Sequence, residues 1–451
     1  MLIKMSVENY KSFDKKEELS MITSSKVQDH KDHRVKIKQT KLLKNAVIYG
    51  ANASGKSNLV SAFAFMKTAL QEGLPINSVN DFCKSNEGNR FRESIFEIQF
   101  TVNDTFYAYG FSAILSERII TEEWLFELLQ DGSSNQLFIK KKNIVPALGK
   151  QIILSEEEKS KFSVYSEDFA EHNTQLFLAE MNHGKKYVEK SKLNFFLEAF
   201  RWIMRNIIII NPNIGLSNTE AYYNDNSLEK ISKLIQTFDT GITDIRTRPI
   251  TIEEMNKMIP SEIVQSILMN LKTQMQMTNI PNIQVTWRVE GGFFNIRIKG
   301  NSEPEITTLV LKHGKSLFDF SFSEESDGTK RLFDLIDMLL TDRPDTVFVV
   351  DELERSLHPK LTEHFLMLFI EAHKDVRMQL VFTTHEDTIM DQNLFRRDEI
   401  WFVERNTNNA SKIYSLDRFK ERYDKKLSKA YLEGRYGAIP IFKQFSFKRG
   451  D

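Results

Sequence analysis

The segment from Gly50 to Ser57 constrains the fold more than any other part of the chain. It is Gly-Ala-Asn-Ala-Ser-Gly-Lys-Ser, the complete pattern G-x-x-x-x-G-K-[ST]. An apolar run, Ala46–Tyr49, precedes it, and apolar residues at helical spacing follow it. A buried strand, a glycine-rich turn and a helix N-terminus together direct backbone N–H groups and a positive dipole end toward a phosphate. The sequence therefore predicts an α/β fold with a nucleoside triphosphate site at this turn.

Individual roles in this loop follow from the same geometry. Lys56 is expected to neutralise the β- and γ-phosphates, and Ser57 is expected to bind Mg²⁺. The residues predicted to contact the nucleotide are Gly50, Asn52, Ala53, Ser54, Gly55, Lys56, Ser57 and Asn58.

Composition limits the class of protein. The chain has 451 residues with 41% hydrophobic content, which is enough for a large core and two or three domains. The net charge of −1 does not indicate a strongly basic nucleic-acid protein, although local basic faces stay possible. The single cysteine, Cys83, excludes an internal disulfide and is typical of a reducing compartment. No apolar stretch approaches the roughly 20 residues that span a bilayer, so we expect a cytoplasmic protein without membrane contact.

Periodicity divides the chain into three predicted parts. Strand pairs are expected on either side of Asn103-Asp104, Asp131-Gly132 and Glu290-Gly291-Gly292. The stretch between them is richer in helical periodicity and lacks a sustained heptad pattern, which excludes a long coiled-coil arm. We predict an N-terminal part at 1–154, an inserted, mainly helical domain at 155–280 and a C-terminal part at 281–451.

Two histidines, His30 and His33, lie in a polar, loop-like region. They could indicate a metal site, but no third convergent ligand is evident nearby. The sequence therefore favours solvated loop residues.

A second motif complements the phosphate loop. Thr346–Val350 is an apolar, β-branched run that ends in Asp351 and Glu352, the form of a buried parallel strand delivering two carboxylates at its carboxyl end. Asp351 is predicted to bind Mg²⁺, and Glu352 to orient or deprotonate the attacking water. After a later apolar strand, Leu380–Phe382, comes His385, which is positioned to donate to the γ-phosphate.

The segment Ser326-Asp327-Gly328 lies where a helix begins and is expected to cap it. Its place ahead of the acidic pair matches the signature loop of ABC-type ATPases, which touches the γ-phosphate held by another subunit.

The order of these motifs carries a family resemblance. The chain resembles the ABC-type ATPase heads of the RecF, SMC and OLD group, and most of all the RloA/AbiL-type ATP-binding proteins. The closer resemblance rests on Glu325-Ser-Asp-Gly-Thr329, Asp351-Glu-Leu-Glu-Arg-Ser-Leu-His-Pro359, Asp398-Glu-Ile-Trp-Phe-Val403 and Gly434-Arg-Tyr-Gly-Ala-Ile-Pro440. It implies an ABC-type P-loop head assembled from N- and C-terminal parts, with ATP and Mg²⁺ as ligands and Ser326 and Gly328 at the nucleotide of a second copy. No Q-loop is placed; Gln99 is equally well explained as an ordinary strand residue.

The resemblance also implies a function and partners. Such ATPases, including those of PARIS systems, hydrolyse ATP, form head pairs and act in bacteriophage defence beside a separately encoded effector, often a TOPRIM-like or RloB-type nuclease. A phage protein or DNA is a possible trigger. The short stretch after His385 is expected to be too small for a nuclease domain. Its segment Tyr431–Pro440 either docks a partner or covers the chain's own core.

Three alternatives compete with a defence ATPase. The closest is a RecF-like repair ATPase that clamps DNA directly. A self-sufficient nuclease would need an acidic cluster outside the ATPase motifs, which the sequence does not show. A transporter subunit is disfavoured because the signature lacks the form Leu-Ser-Gly-Gly-Gln.

Overall fold

The computed structural model describes most of the chain. The described residues are 1–185, 187–188, 190–211, 225–278, 281–289, 292–300, 302–419 and 426–440.

Strands account for much of the described structure. In chain order they are β1 Leu2–Glu8, β2 Glu17–Ser20, β3 Arg34–Ile37, β4 Thr40–Leu43, β5 Asn45–Tyr49, β6 Ser94–Val102, β7 Thr105–Ile114, β8 Ile119–Leu128, β9 Ser134–Lys141, β10 Ala147–Leu148, β11 Ile207–Ile210, β12 Ile242–Ile250, β13 Asn282–Val289, β14 Gly292–Lys299, β15 Glu305–His313, β16 Phe320–Ser321, β17 Val347–Val350, β18 Gln379–Thr383, β19 Ile400–Arg405 and β20 Ser411–Ser415.

Helices connect these strands. They are α1 Lys56–Glu72, α2 Glu156–Asp168, α3 Phe177–Glu180, α4 Asn194–Arg201, α5 Asp225–Gln236, α6 Ile252–Met258, α7 Ser261–Thr278, α8 Asp327–Leu340, α9 Pro359–Ala372 and α10 Leu427–Leu432.

The chain forms two compact units. The first contains Met1–Ile209, Arg343–Leu353 and His373–Asp451, and the second contains Ile210–Asp342 and Glu354–Ala372. Neither the predicted boundary at residue 154 nor that at 280 coincides with these units, because periodicity reports secondary structure and not which segments pack together. The inserted mainly helical domain stays a prediction.

A six-stranded sheet forms the centre of the first unit. Its strand order is β11-β17-β18-β5-β19-β20. The strands β17, β18, β5 and β19 run parallel, and β20 pairs antiparallel with β19. All residues of β5, β17 and β18 are buried, as expected for parallel strands covered on both faces. Since β5 comes from the N-terminal part and its neighbours from the C-terminal part, the predicted α/β fold class, a P-loop ATPase head assembled from both parts, is confirmed.

The first unit also contains a seven-stranded sheet with the order β10-β9-β8-β7-β6-β1-β2. One apolar core joins helix α1, through Phe63 and Met66, to both sheets, for example Phe96 of β6 and Val349 of β17. This packing fixes the helix that follows the phosphate loop.

The second unit contains the sheet β12-β15-β14-β13, with β16 paired to β15. A separate apolar cluster is formed by residues of this sheet and of the helices α6 and α7, and it includes Met255, Val264 and Phe294.

The predicted strand pairs are present. Asn103 and Asp104 both adopt positive φ, at 48° and 60°, between the antiparallel strands β6 and β7. Asp131-Gly132 connects β8 and β9, which also pair. The strands β13 and β14 pair antiparallel, while Glu290 and Gly291 lie outside the described residues. No helix formed by the described residues combines the length and apolar character needed to cross a bilayer.

Candidate nucleotide-binding site

The phosphate loop leaves the carboxyl end of β5 and enters α1 at Lys56. Glycine is needed at positions 50 and 55 because neighbouring atoms leave no room for a Cβ. A Cβ on Gly50 would lie 2.4 Å from the carbonyl oxygen of Val403, and one on Gly55 would lie 2.5 Å from Oγ of Ser12. Gly55 also has a φ of 112°, which side chains other than hydrogen rarely permit. The loop can therefore close tightly only with glycine at both positions.

Two serines far apart in sequence support the loop. Oγ of Ser411 donates to the carbonyl oxygen of Ser54 at 2.5 Å, and the Ser411 amide donates to the carbonyl of Ser12 at 2.7 Å. Asn58 in turn donates from Nδ2 to Oγ of Ser12 at 2.8 Å. These bonds fix the loop to β20 and to the turn after β1. Asn58 thus contacts Ser12, one of the two serines that support the loop.

The Lys56 ammonium lies inside the loop. Its Nζ donates to the carbonyl oxygens of Gly50 at 2.7 Å and Ala51 at 3.2 Å, and only 5% of the residue is exposed. These carbonyls hold the cation at the concave face of the turn, where phosphate oxygens would replace or join them as partners.

The acidic strand end meets the first turn of α1. Oγ of Ser57 donates to Oδ1 of Asp351 at 3.2 Å. The same Oδ1 accepts a hydrogen bond from Oγ1 of Thr383 at 2.6 Å. Ser57 is exposed and Asp351 is buried, so the pair lies at the floor of an open site. Hydroxyl and carboxylate oxygens are the hard donors that Mg²⁺ prefers.

Glu352 adopts a left-handed backbone conformation, with φ at 47°. Few non-glycine residues do so without support from the surrounding structure. Here the Glu352 amide donates to Oγ1 of Thr383 at 2.9 Å, and the Leu353 amide donates to the Thr383 carbonyl at 3.1 Å. The turn presents the half-buried Glu352 directly beyond the strand end.

His385 approaches the phosphate loop from the next strand. Its Nδ1 lies 3.4 Å from Nζ of Lys56. Partial removal from water lowers the pKa of His385, the Lys56 ammonium lowers this pKa further, and Glu352 and Asp351 oppose the shift. The imidazole is therefore neutral at pH 7. With Nδ1 accepting from Lys56, the ring proton is on Nε2, which makes that nitrogen a donor.

The site fits a magnesium-bound triphosphate on three observations. First, the two glycines leave no room for a Cβ. Second, the hydroxyl of Ser54 is buried and has no hydrogen-bond partner within the described part of the chain, so a donor is available in the loop itself. Third, Ser57 and Asp351 already bring their oxygens together. Asn52 and Ala53 are exposed at the tip of the loop, and Ala53 is left-handed with φ at 61°.

The signature residues lie in the second unit. Ser326 caps α8, since its Oγ accepts from the Thr329 amide at 3.1 Å. Gly328 lies close to the carbonyl oxygen of Ser356, 2.6 Å from where a Cβ would be. The expected helix cap is present. The roles of Ser326 and Gly328 at a second copy's nucleotide stay predictions.

Sequence reasoning did not assign a role to Thr383, Ser12 or Ser411. Thr383 begins the Thr-Thr-His segment, so its position at a strand end was a usable signal. The sequence contains no such signal for Ser411, because this residue is 357 positions from Ser54, which it contacts. Gln99 lies within β6 and donates to Glu97, as an ordinary strand residue does.

The interpretation of His30 and His33 as solvated loop residues is wrong for His33. Only 3% of His33 is exposed, and its Nδ1 lies 2.9 Å from Oε2 of Glu399. A third potential ligand, Asp32, also lies nearby. The sequence did not reveal the contact of His33 with Glu399, because the two residues are 366 positions apart.

The aromatic residues near the C-terminus pack on the first unit's own core. Tyr431 and Tyr436 stack on Phe402 at ring distances of 5.6 and 5.8 Å, and both are buried. This packing favours the covering role over partner docking for these two residues. Residues 420–425, which precede them in sequence, lie outside the described residues.

Comparison with known families identifies the chain. Residues 46–391 match the family described as "AAA domain, putative AbiEii toxin, Type IV TA system". The chain belongs to this family. The matched range contains the phosphate loop, the signature segment, the acidic pair and His385. No curated protein sequence matches the chain.

Solved structures that are similar to the chain include three SMC heads. An SmcHead bound to the C-winged helix domain of ScpA is 14% identical, with 96% of this chain and 99% of that chain covered and a TM-score of 0.40. The SMC head domain from Thermotoga maritima is 14% identical over 92% and 98%, with a TM-score of 0.33. The Smc head with an extended coiled coil, bound to the C-terminal domain of ScpA derived from Pyrococcus furiosus, is 13% identical over 96% and 98%, with a TM-score of 0.34. These similarities are weak, and nothing about partners of this chain follows from them.

Proposed function

We propose that the chain is the cytoplasmic ATPase subunit of an anti-phage defence system, in which ATP-dependent pairing of two heads controls a separately encoded nuclease or toxin. Membership in a family described by a putative toxin of a type IV toxin–antitoxin system supports the defence setting. The resemblance to RloA/AbiL-type and PARIS ATPases supports the separate effector.

One observation carries the ATPase part of the proposal. The oxygens of Ser57 and Asp351 lie 3.2 Å apart at the floor of a loop that also contains the Lys56 ammonium. Mg²⁺, when bound there, would neutralise phosphate charge. Lys56 binds the terminal phosphates, the loop amides orient them, and Asp351 is held in place by Thr383.

Two further side chains act on the water and the γ-phosphate. Glu352, which directly follows β17 and has a left-handed backbone conformation, orients the attacking water and accepts its proton. His385, neutral and protonated on Nε2, donates a hydrogen bond to the γ-phosphate. The γ-phosphate would therefore be bound both by Lys56, in the loop after β5, and by His385, in the segment after β18. Its loss on hydrolysis would release both segments, which can change how they are arranged.

Head pairing is tested by complementation. Ser326→Arg places a bulky side chain in the signature segment, and Lys56→Ala removes the ammonium that binds the phosphates. Each variant alone should therefore lack ATPase activity. Mixed oligomers should recover part of the activity, because one interface combines an intact loop with an intact signature. The matched control is Ser302→Arg, an exposed serine outside the signature, which should retain full activity alone. No recovery at any mixing ratio, with mixed assembly verified, contradicts composite sites.

Control of an effector is tested by capture. The tagged Glu352→Gln variant, expected to keep ATP bound, is purified from its native cells with and without ATP, and the partners are identified by mass spectrometry. A nuclease or toxin encoded beside the ATPase, retained in one nucleotide state only, is the expected result. Salt-sensitive stimulation of ATPase by duplex DNA, without such a partner, would instead favour a DNA clamp.

A further inference from the structure

We propose a transition-metal site, suited to Zn²⁺, formed by His30, Asp32 and His33 in the first unit. One nitrogen of each imidazole and one carboxylate oxygen of Asp32 lie within 4.8 Å of one another. Two imidazoles and a carboxylate are ligands that zinc takes in proteins, with a fourth position left for water or another ligand.

Local backbone geometry brings the two histidines together. His30 adopts a left-handed conformation, with φ 40° and ψ 64°, and a 3₁₀ helix, Lys31–His33, begins directly after it. The His33 amide donates to the His30 carbonyl at 3.1 Å, and the two ring centroids are 4.8 Å apart.

Hydrogen bonds to the outer nitrogens select the tautomers. Nε2 of His30 lies 2.7 Å from the carbonyl oxygen of Gln392, an acceptor only, so this nitrogen carries the ring proton. Nδ1 of His33 lies 2.9 Å from Oε2 of Glu399. A neutral ring donating through these atoms keeps its lone pair on Nδ1 of His30 and on Nε2 of His33, which are the nitrogens available to a metal.

The contacts of Glu399 are those of a residue that orients a metal-binding histidine. Glu399 is fully buried, and Oε1 accepts from Nδ2 of Asn45 at 3.1 Å while Oε2 accepts from the Arg396 amide at 2.9 Å. Carboxylate–histidine pairs of this kind fix the ring and strengthen it as a ligand. The orientation of the His33 ring is therefore fixed by its contact with Glu399.

The proposed ligand atoms are close, but not yet at bonding positions. Ligand atoms around one tetrahedral zinc are about 3.3 Å apart, given bonds of roughly 2.0 Å. Asp32 is exposed and His30 is half-buried, so these two side chains are less constrained than the buried His33 and are the ones expected to adjust to an ion. The site is separate from the nucleotide site, because Asn45 and Tyr49 are at opposite ends of β5, about 13 Å apart at a strand's rise per residue.

Metal uptake by the full-length chain tests the proposal. Protein stripped with a chelator is titrated with ZnCl₂ by calorimetry, and bound metal is counted by elemental mass spectrometry. The parent should bind one more zinc per chain than His30→Ala, and Asp32→Asn should bind that ion at least about 10-fold more weakly. Both positions are outside the core, so folding should be retained, as circular dichroism would verify. The matched control is His183→Ala, an exposed histidine elsewhere, which should bind like the parent.

A positioning variant separates this site from adventitious binding. Glu399→Gln should weaken zinc about 10- to 100-fold, although Glu399 itself does not touch the ion. Equal zinc uptake by the parent, His30→Ala and Asp32→Asn overturns the proposal, as does a parent that binds no zinc. Uptake of Mn²⁺ or Ni²⁺ but not Zn²⁺ overturns the assignment of the metal.

Discussion

Strand β5 has a polar cluster at each end, and the two clusters differ in how their groups are satisfied. At the carboxyl end, Lys56, Ser57 and Asp351 converge beside an exposed loop. At the amino end, Asn45, His33 and Glu399 are all buried and bind one another.

The difference shows how a sheet separates nucleotide binding from the pairing of buried charges. The carboxyl end of parallel strands faces loops that open to solvent, so its charges can exchange partners with a ligand. The amino end contains charges that must find partners within the protein, because an unpaired buried charge is costly. Changes at the first end should therefore alter nucleotide handling, and changes at the second end should alter stability.

The largest expected effect comes from the loop cation. Lys56→Ala should abolish ATP binding, because it removes the ammonium that the Gly50 and Ala51 carbonyls hold in the loop and that would neutralise the β- and γ-phosphates. Titration with a fluorescent ATP analogue measures this. Lys142→Ala, an exposed lysine outside the site, is the matched control. Retained affinity in Lys56→Ala contradicts the assignment.

Loss of the water-activating carboxylate should separate binding from turnover. Glu352→Gln should keep ATP affinity and lower the hydrolysis rate by roughly 10²-fold or more. Phosphate release under single-turnover conditions measures the chemical step. Glu303→Gln, an exposed acid, should hydrolyse ATP like the parent. Comparable rates in Glu352→Gln and the parent remove its catalytic role.

The two ends of β5 also differ in how far the sequence could predict them. The loop from Gly50 to Ser57 is contiguous, and its spacing, together with the apolar run before it and the helical periodicity after it, predicted the strand, the turn and the helix. Asp351 and Glu352 were predictable because an apolar β-branched run delivers them to a strand end. The convergence of these segments needed the order of β17, β18 and β5, which a single sequence does not contain.

The amino end was not predictable. His33 and Glu399 meet only because β19 lies beside β5, a contact 366 residues apart in sequence. Local polarity therefore indicated a solvated loop. Thr383 lies between the two cases, since its strand was predicted while its bonds to Asp351 and Glu352 depend on the strand order.

Thr383 tests whether the carboxyl end depends on its supporting hydroxyl. Thr383→Val removes the donor to Asp351 and the acceptor of the Glu352 amide, so magnesium-dependent ATP affinity should fall about 10-fold and stability by about 1–3 kcal/mol. Thr384→Val is the matched control: Thr384 is equally buried, but its hydroxyl accepts from Glu386 instead. Equal effects of the two substitutions would mean that Thr383 acts through packing alone.

A smaller functional effect is expected at the amino end. Glu399→Gln removes the charge facing His33 and should lower the free energy of unfolding by about 1–3 kcal/mol. ATP affinity should stay within about twofold of the parent, because the substitution leaves the loop intact. Urea denaturation and ATP titration on the same sample compare the two quantities. A large loss of ATP affinity in folded Glu399→Gln would break the separation between the two ends.

The smallest expected effect is the pH dependence from His385. Because partial burial and the Lys56 ammonium lower the pKa of this histidine, its neutral form persists below the ordinary imidazole value of about 6.5. The unfolded chain takes up the proton more readily than the folded one, so stability from this group is present above that value and is lost as pH falls. Hydrolysis should decline on the same acidic side, where Nδ1 gains a proton and repels Lys56. His385→Gln should hydrolyse several-fold more slowly at neutral pH and lose this acidic decline, whereas His183→Gln should keep the parent's profile. An acidic decline that survives unchanged in His385→Gln would show that His385 does not cause it.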